Sequence, residues 1–140
     1  MITGISHITR YVQDAEAALR FYTEVLGFQK CADMEVGPGM RWLTVQAPGQ
    51  TGVELVLFEP RVWLKDETQL AQAEGMLDHQ PQLVFATEDI DAALVRLKDA
   101  GVQLDTPEVR DLPWGRDLEF RDLTGSSINL VQAKPMPVFQ

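Results

Sequence analysis

Two stretches of this chain carry apolar residues at helical spacing, and alternating strand-like runs surround both. In the first, Ala15, Ala18, Leu19, Tyr22 and Val25 recur three and four positions apart; in the second, Ile90, Ala93, Leu94, Leu97 and Ala100 do the same. That spacing lays one apolar stripe along a helix. Asp14 and Asp89 precede the stripes. A short carboxylate there accepts a backbone N–H that the first helical turn leaves without a partner. Gly27 and Gly101 follow the stripes, where a left-handed helix ending costs little. Val12–Leu19 resembles Thr87–Leu94 position by position, and the offset from Asp14 to Asp89 holds along the whole of both helices. The chain therefore contains an internal repeat.

Strand-like runs complete each half. Ile5–Val12 and Leu83–Thr87 precede the helices. Met40–Gln46 and Val53–Phe58 follow the first helix, and Leu118–Arg121 and Ser127–Gln132 follow the second. Gln29–Val36 and Gln103–Arg110 are weaker strand candidates. Pro48-Gly49-Gln50-Thr51-Gly52 and Asp122-Leu123-Thr124-Gly125 read as turns, because glycine and proline there interrupt the periodic segments. Each half is a βαβββ module, about 3–60 and 80–132, of one domain covering 1–140. A long structureless connection is uncommon in a compact domain, so the 59–81 linker is expected to hold a short helix within Leu64–Leu77. Lys134–Gln140, with two prolines, reads as a tail. The fold class is α+β: two tandem βαβββ modules forming a cupped mixed sheet, with helices on the outer face.

Alternation assigns the faces. Ile8 and Val12, Val53, Leu55 and Leu57, Leu83 and Phe85, and Ile128 and Leu130 form apolar sets suited to the helix-covered side. The other parity holds His7, Thr9 and Tyr11; Glu54, Val56 and Phe58; Gln82, Val84 and Ala86; Asn129 and Val131. Each of these sets includes one polar residue of chemical interest among mostly apolar neighbours. Arg10 falls on the core parity of the first strand, against this scheme.

Composition narrows the function. The chain is 45% hydrophobic and 24% charged, with net charge −9 and pI about 4.6. Such a chain repels phosphate, so nucleic acid is not an expected partner, and a cationic ligand is favoured over a polyanion. No apolar run approaches the ~20 residues that a bilayer span needs, so no membrane partner is expected. The start of the chain lacks the basic-then-apolar pattern of a signal peptide, and the expected location is cytoplasmic. Cys31 is the single cysteine; no internal disulfide forms from it, and nothing near it in sequence marks a nucleophile.

The repeat extends to the polar residues of the inner face. The step from His7 to Gln82 equals the step from Glu54 to Asn129, and both equal the offset between the helices. Under a pseudo-twofold relation, an imidazole, a carboxylate and two amides would converge to ring a divalent ion or a polar ligand. His79, three positions before Gln82, would point to the opposite face of a continuous strand.

Ser6-His7-Ile8-Thr9 with Phe21-Tyr22-Thr23-Glu24-Val25-Leu26-Gly27-Phe28, Gly52-Val53-Glu54-Leu55-Val56, and Pro113-Trp114-Gly115-Arg116-Asp117 with Asp122–Val131 resemble segments of the vicinal oxygen chelate superfamily. This is the glyoxalase, bleomycin resistance and extradiol dioxygenase group. The resemblance covers about Thr3–Gln132. It implies paired βαβββ modules around a divalent metal (Mn, Fe, Ni, Zn or Mg) that chelates substrate oxygens and stabilises an anionic intermediate. It also implies a homodimer, in which modules from two chains can complete one cleft.

In glyoxalase-type members the ligand positions match His7, Glu54, Gln82 and Asn129, and are typically His or Gln, Glu, His and Glu. This chain keeps the first two. Gln82 and Asn129 are neutral amides that bind a divalent ion more weakly, and Asn129 cannot act as a general base. Tyr11 stands where glutathione-using members carry arginine. Classical glyoxalase I chemistry is therefore not expected, and any metal is expected to be weakly held or absent.

The candidate metal ligands are His7 and Glu54, with Gln82 as a third; Glu54 is also the candidate catalytic base. Tyr11, Trp42, Phe58, Gln82, Trp114 and Asn129 are candidate contacts for a small-molecule ligand, and Trp63 is a further aromatic that could line a pocket. Two functions follow. One is a metal-dependent lyase, isomerase or oxygenase acting on a small oxygenated molecule through a partly degenerate site. The other is a metal-free binding protein of the bleomycin-resistance kind, which sequesters its ligand. The His and Glu retained in register tilt the sequence reading towards the first.

Overall fold

The computed structural model describes residues 1–135. The expected tail at Lys134–Gln140 lies largely outside the described residues. The chain divides into two compact units, Met1–Gln80 and Pro81–Gln140.

The first unit contains β1 (His7–Tyr11), α1 (Ala15–Arg20) continued by a π-helical turn at Phe21–Val25, β2 (Gln29–Gly37), β3 (Met40–Gln46) and β4 (Glu54–Phe58), then α2 (Pro60–Trp63) and α3 (Glu67–Gly75). The second contains β5 (Leu83–Ala86), α4 (Ile90–Asp99), β6 (Arg110–Leu112), β7 (Gly115–Arg121) and β8 (Ser127–Ala133). Each unit has one four-stranded mixed sheet, in the orders β1-β4-β3-β2 and β5-β8-β7-β6. In each, the first strand pairs in parallel with the last and the remaining pairs are antiparallel. The fold is α+β, built from two tandem βαβββ modules. The linker carries two helices: α3 lies within the Leu64–Leu77 stretch where a short helix was expected, and α2 is an additional one, with Pro60 in its first turn.

The two helices start alike. The Asp14 carboxylate accepts from the N–H groups of Glu16 (3.0 Å) and Ala17 (3.2 Å), and that of Asp89 accepts from Ala92 N–H (3.1 Å). One further N–H in each is taken by a side chain at the end of the parallel partner strand: Ala15 N–H by Glu59 Oε1 (2.5 Å), just after β4, and Ile90 N–H by Gln132 Oε1 (2.9 Å), in the last residues of β8. Both helical segments end at glycines in the left-handed region, Gly27 at φ +80° and Gly101 at φ +72°, a conformation that costs other residues more.

An ion pair also links each helix to its sheet. Arg41 on β3 reaches Glu16 at 2.6 Å, and Arg116 on β7 reaches Asp91 at 2.9 Å. Both members of the second pair stand at the repeat offset from their counterparts in the first.

Of the apolar parity, Val12, Leu55, Leu57, Ile128 and Leu130 are buried as expected, whereas Val53, Leu83 and Phe85 are only half-buried. Val12, Ala18, Tyr22, Leu43, Val45 and Leu57 form the core of the first unit, and Ile90, Leu97, Leu118, Phe120 and Ile128 that of the second. Full burial of such side chains contributes roughly 1.5–3 kcal/mol each for the aliphatic ones. Ile8 and Arg10 depart from the scheme most. Ile8 is 41% exposed, and Arg10 is buried at 1% exposure, so the guanidinium does share the core side.

The strand expected at Gln103–Arg110 is mostly absent. Only Arg110–Leu112 is a strand, and Leu104 makes an isolated bridge to Phe120. Pro107 interrupts this segment; it has no N–H to give a ladder and its ring fixes φ.

Register corrects the equivalence of the inner faces. β1 matches β5 at the offset that relates α1 to α4, with His7 corresponding to Gln82 and Asp14 to Asp89. β4 and β8 do not follow it. Val12 N–H bonds to Phe58 O, and its counterpart Thr87 N–H bonds to Val131 O, both at 2.9 Å. The step from Phe58 to Val131 is two positions shorter than the step from Val12 to Thr87, and so is the step from Glu59 to Gln132. The counterpart of Glu54 is therefore Ser127, and that of Asn129 is Val56. His7 pairs with Glu54 in β1–β4, whereas Asn129 pairs with Val84 in β5–β8. The connection between the last two strands is longer by two positions in the first unit than in the second, and this creates the stagger.

Candidate functional site: an aromatic face in the first unit

Alternation along β1, β3 and β4 puts His7 and Tyr11, Trp42 and Thr44, and Glu54 and Phe58 on the face away from α1. Five rings form a continuous row there. His7 meets Trp42 edge-on at 5.6 Å between ring centres, and Trp42 meets Trp63 edge-on at 6.5 Å. Trp63 stacks on Phe58 at 5.6 Å with 24° between planes, and Phe58 meets Tyr11 at 5.8 Å. Offset-stacked and edge-to-face pairs of this kind each add about 0.5–1.5 kcal/mol beyond their buried area. Thr44 and Val56, on the same face, are buried.

Two features hold the row. Pro60 starts α2 directly after β4, so that one helical turn carries Trp63 back onto Phe58. Gln80 brackets the end of β1: it accepts from Tyr11 N–H at 2.7 Å and donates to Tyr11 O at 2.8 Å and Leu77 O at 3.0 Å. This nearly buried amide completes the backbone pairing of an edge strand beside the Tyr11 ring.

Glu54 shares this face, opposite His7 in the β1–β4 pairing. Its Oε1 accepts from Thr44 Oγ1 at 2.5 Å. Its register partner His7 has Nδ1 3.0 Å from Ser6 Oγ.

Gln82, Asn129 and Trp114 lie in the second unit. Gln82 is exposed and donates to Ser127 Oγ at 2.8 Å. Asn129 donates to Asp117 Oδ2 at 2.9 Å and Leu118 O at 3.3 Å. Asp117 is only 4% exposed and also accepts from Arg110 Nε and Nη2, both at 2.8 Å. The Arg110 guanidinium, aided by the Asn129 amide, holds the Asp117 carboxyl below its usual range, against the opposing effect of burial. Arg110 further reaches Glu119 at 3.2 Å. Trp114 is 54% exposed on the turn between β6 and β7. His79 is exposed and lies 2.9 Å from Asp78 Oδ1.

The structure thus brings His7, Tyr11, Trp42, Glu54 and Phe58 onto one face, and adds Trp63 to them. Sequence reasoning missed Thr44 and Gln80 altogether. A polar residue on the inner parity of β3 was the available signal for Thr44; nothing local marked Gln80.

A metal held for chemistry needs several converging oxygen, nitrogen or sulfur donors. The first unit offers one imidazole and one carboxylate, the latter already bonded to Thr44, and most of their neighbours on that face are aromatic. Among the described residues no group of three or more His, Cys, Asp or Glu side chains is placed to hold a metal ion. This donor set does not fit a tightly bound catalytic metal.

Comparison with known proteins places the fold. Residues 4–130 match the model of the Glyoxalase/Bleomycin resistance protein/Dioxygenase superfamily. The chain belongs to this superfamily. Among curated relatives, the uncharacterized protein YurT of Bacillus subtilis (strain 168) is 37% identical over 125 residues, covering 87% of this chain and 93% of YurT. Among solved structures, UcmS2 is 33% identical with TM-score 0.83, covering 95% of this chain and 100% of its own. TnmS3, an antibiotic binding protein from Streptomyces sp. CB03234, is 33% identical with TM-score 0.72, covering 95% and 98%.

Proposed function

We propose that this member of the superfamily is a binding protein for small molecules with a flat aromatic surface, working without a metal. The observation that carries this reading is the unbroken row His7–Trp42–Trp63–Phe58–Tyr11. Rigid rings present a large apolar area at little conformational cost and stack on any flat partner. The likeness to an antibiotic binding protein points the same way. The order of the two functions inferred from sequence is reversed: sequestration comes first, and metal-dependent lyase, isomerase or oxygenase chemistry second. That second reading has the pairing of His7 with Glu54 in its favour. On the proposed reading, any divalent ion there exchanges freely, and Tyr11, Trp42, Phe58 and Trp63 contact the ligand.

The protein is further proposed to act as a cytoplasmic homodimer. Light scattering at micromolar concentration should give twice the chain mass, and a concentration-independent monomer mass would contradict this. No described helix is long and apolar enough to cross a membrane.

The test of the binding reading is a titration of chelator-dialysed protein with acridine, followed by quenching of tryptophan fluorescence. Saturable quenching in the absence of metal is the expected result. Quenching that appears only after a divalent ion is added would overturn the reading.

A further inference from the structure

Thr44 has a place in the site that its role in the sheet does not require. The pairing of β2 with β3 runs Lys30–Val45 and then Ala32–Thr44, so Cys31 is an extra residue, a β-bulge. Bulges disrupt the ladder locally and re-aim neighbouring groups. Here the Ala32 N–H donates to the Thr44 hydroxyl oxygen at 3.0 Å. A hydroxyl has a single proton to give. With its oxygen engaged by Ala32, Thr44 directs that proton to Glu54 Oε1 at 2.5 Å. Thr44 has no solvent exposure, and a β-branched side chain is stiff about its first torsion. The relay from the bulge therefore fixes one carboxylate oxygen of Glu54. The other oxygen is left to accept from a ligand beside the aromatic row.

We propose that Thr44 is a positioning residue that orients Glu54, so that the aromatic face prefers flat ligands bearing a cationic or N–H donor group over uncharged flat ligands. This inference rests on the proposed aromatic binding face. It adds to it the chemistry that selects among flat molecules. A carboxylate held in place before binding gives a stronger charge-assisted bond than one that must be ordered on binding.

The experiment compares two dyes at neutral pH: 9-aminoacridine, a flat aromatic cation, and acridine, its uncharged counterpart. Affinities are measured by tryptophan quenching for the wild type, Thr44→Val, Thr44→Ser, Glu54→Gln and the Thr44→Val/Glu54→Gln double variant. Each variant is first checked by thermal melting for a folded state. The wild type is expected to bind 9-aminoacridine about tenfold more tightly than acridine, the scale of one bond to a charged group. Glu54→Gln should bring that ratio close to one. Thr44→Val, which keeps the shape but loses the hydroxyl, should lower it severalfold, and Thr44→Ser should restore it. In the Glu54→Gln background, Thr44→Val should change the ratio no further; a general structural defect would lower both affinities in every background. Equal binding of the two dyes by the wild type overturns the selectivity and leaves the binding face standing. Binding of neither dye overturns the face and this inference with it. A Thr44→Val protein as selective as the wild type overturns the role of Thr44.

Discussion

The two units are copies of one framework whose inner faces have diverged. The helix starts, the helix–sheet ion pairs and the sheet orders repeat. The inner faces do not. At equivalent positions, His7 corresponds to Gln82, Tyr11 to Ala86, Trp42 to Asp117, Thr44 to Glu119 and Phe58 to Val131. One face is a row of rings. The other is a hydrogen-bonded cluster of Arg110, Asp117, Glu119 and Asn129. Framework positions are constrained because each packs against a helix or satisfies its end. Inner-face positions carry no such duty, so one copy can become a ligand surface while the other becomes a self-satisfied polar cluster.

The comparison can be tested from its strongest element to its weakest. If the frameworks are equivalent, emptying either core should be comparably severe. Tyr22→Ala in the first unit and Phe120→Ala in the second, both essentially unexposed, should each cost about 3–5 kcal/mol in denaturant unfolding. A cost below about 1 kcal/mol in one of them would break the equivalence.

The polar cluster should matter less to stability, and only in the second unit. Asp117→Leu removes the acceptor for Arg110 and Asn129 and should cost roughly 1–3 kcal/mol. The sign of its pH dependence follows from a folded-state value held below the unfolded one. The contribution is complete above the unfolded value and is lost as pH falls through the folded one. Melting curves taken into acid should show this loss in the wild type and a flatter profile in Asp117→Leu. Identical acid profiles would show that the cluster contributes nothing.

The helix caps should show the smallest effects. Asp14→Ala and Asp89→Ala should each cost about 1 kcal/mol, with Asp14 the larger because it accepts two N–H groups and Asp89 one. The reverse order would contradict the capping geometry.

The framework was legible because its signals are local. Stripe spacing, the two aspartates and the two glycines are each visible within a few residues, and the internal repeat doubled every one of them. The stagger between β4 and β8 was not. A slip of one residue would have exposed the apolar set, but a slip of two keeps every side chain on its own face. Periodicity therefore could not separate Glu54–Asn129 from Glu54–Ser127. The signal that separates them is the pair Glu59 and Gln132, which serve as helix-start acceptors at the shorter spacing. Trp63 was undervalued for a different reason. Its contacts depend on α2 turning back onto β4, which spacing along the chain does not reveal. Arg10 shows the limit of parity itself, since a hydrophobic alternation has no place for a buried cation.

The central claim is that ligand is taken by the aromatic face of the first unit. Two tryptophans test it directly: Trp63 belongs to the ring row, and Trp114 is exposed on the β6–β7 turn of the second unit. Acridine affinity measured by calorimetry should fall about tenfold in Trp63→Ala, the equivalent of one lost stacking contact of about 1.4 kcal/mol, and should stay within about twofold of wild type in Trp114→Ala. Unchanged affinity in Trp63→Ala together with a tenfold loss in Trp114→Ala would contradict the account.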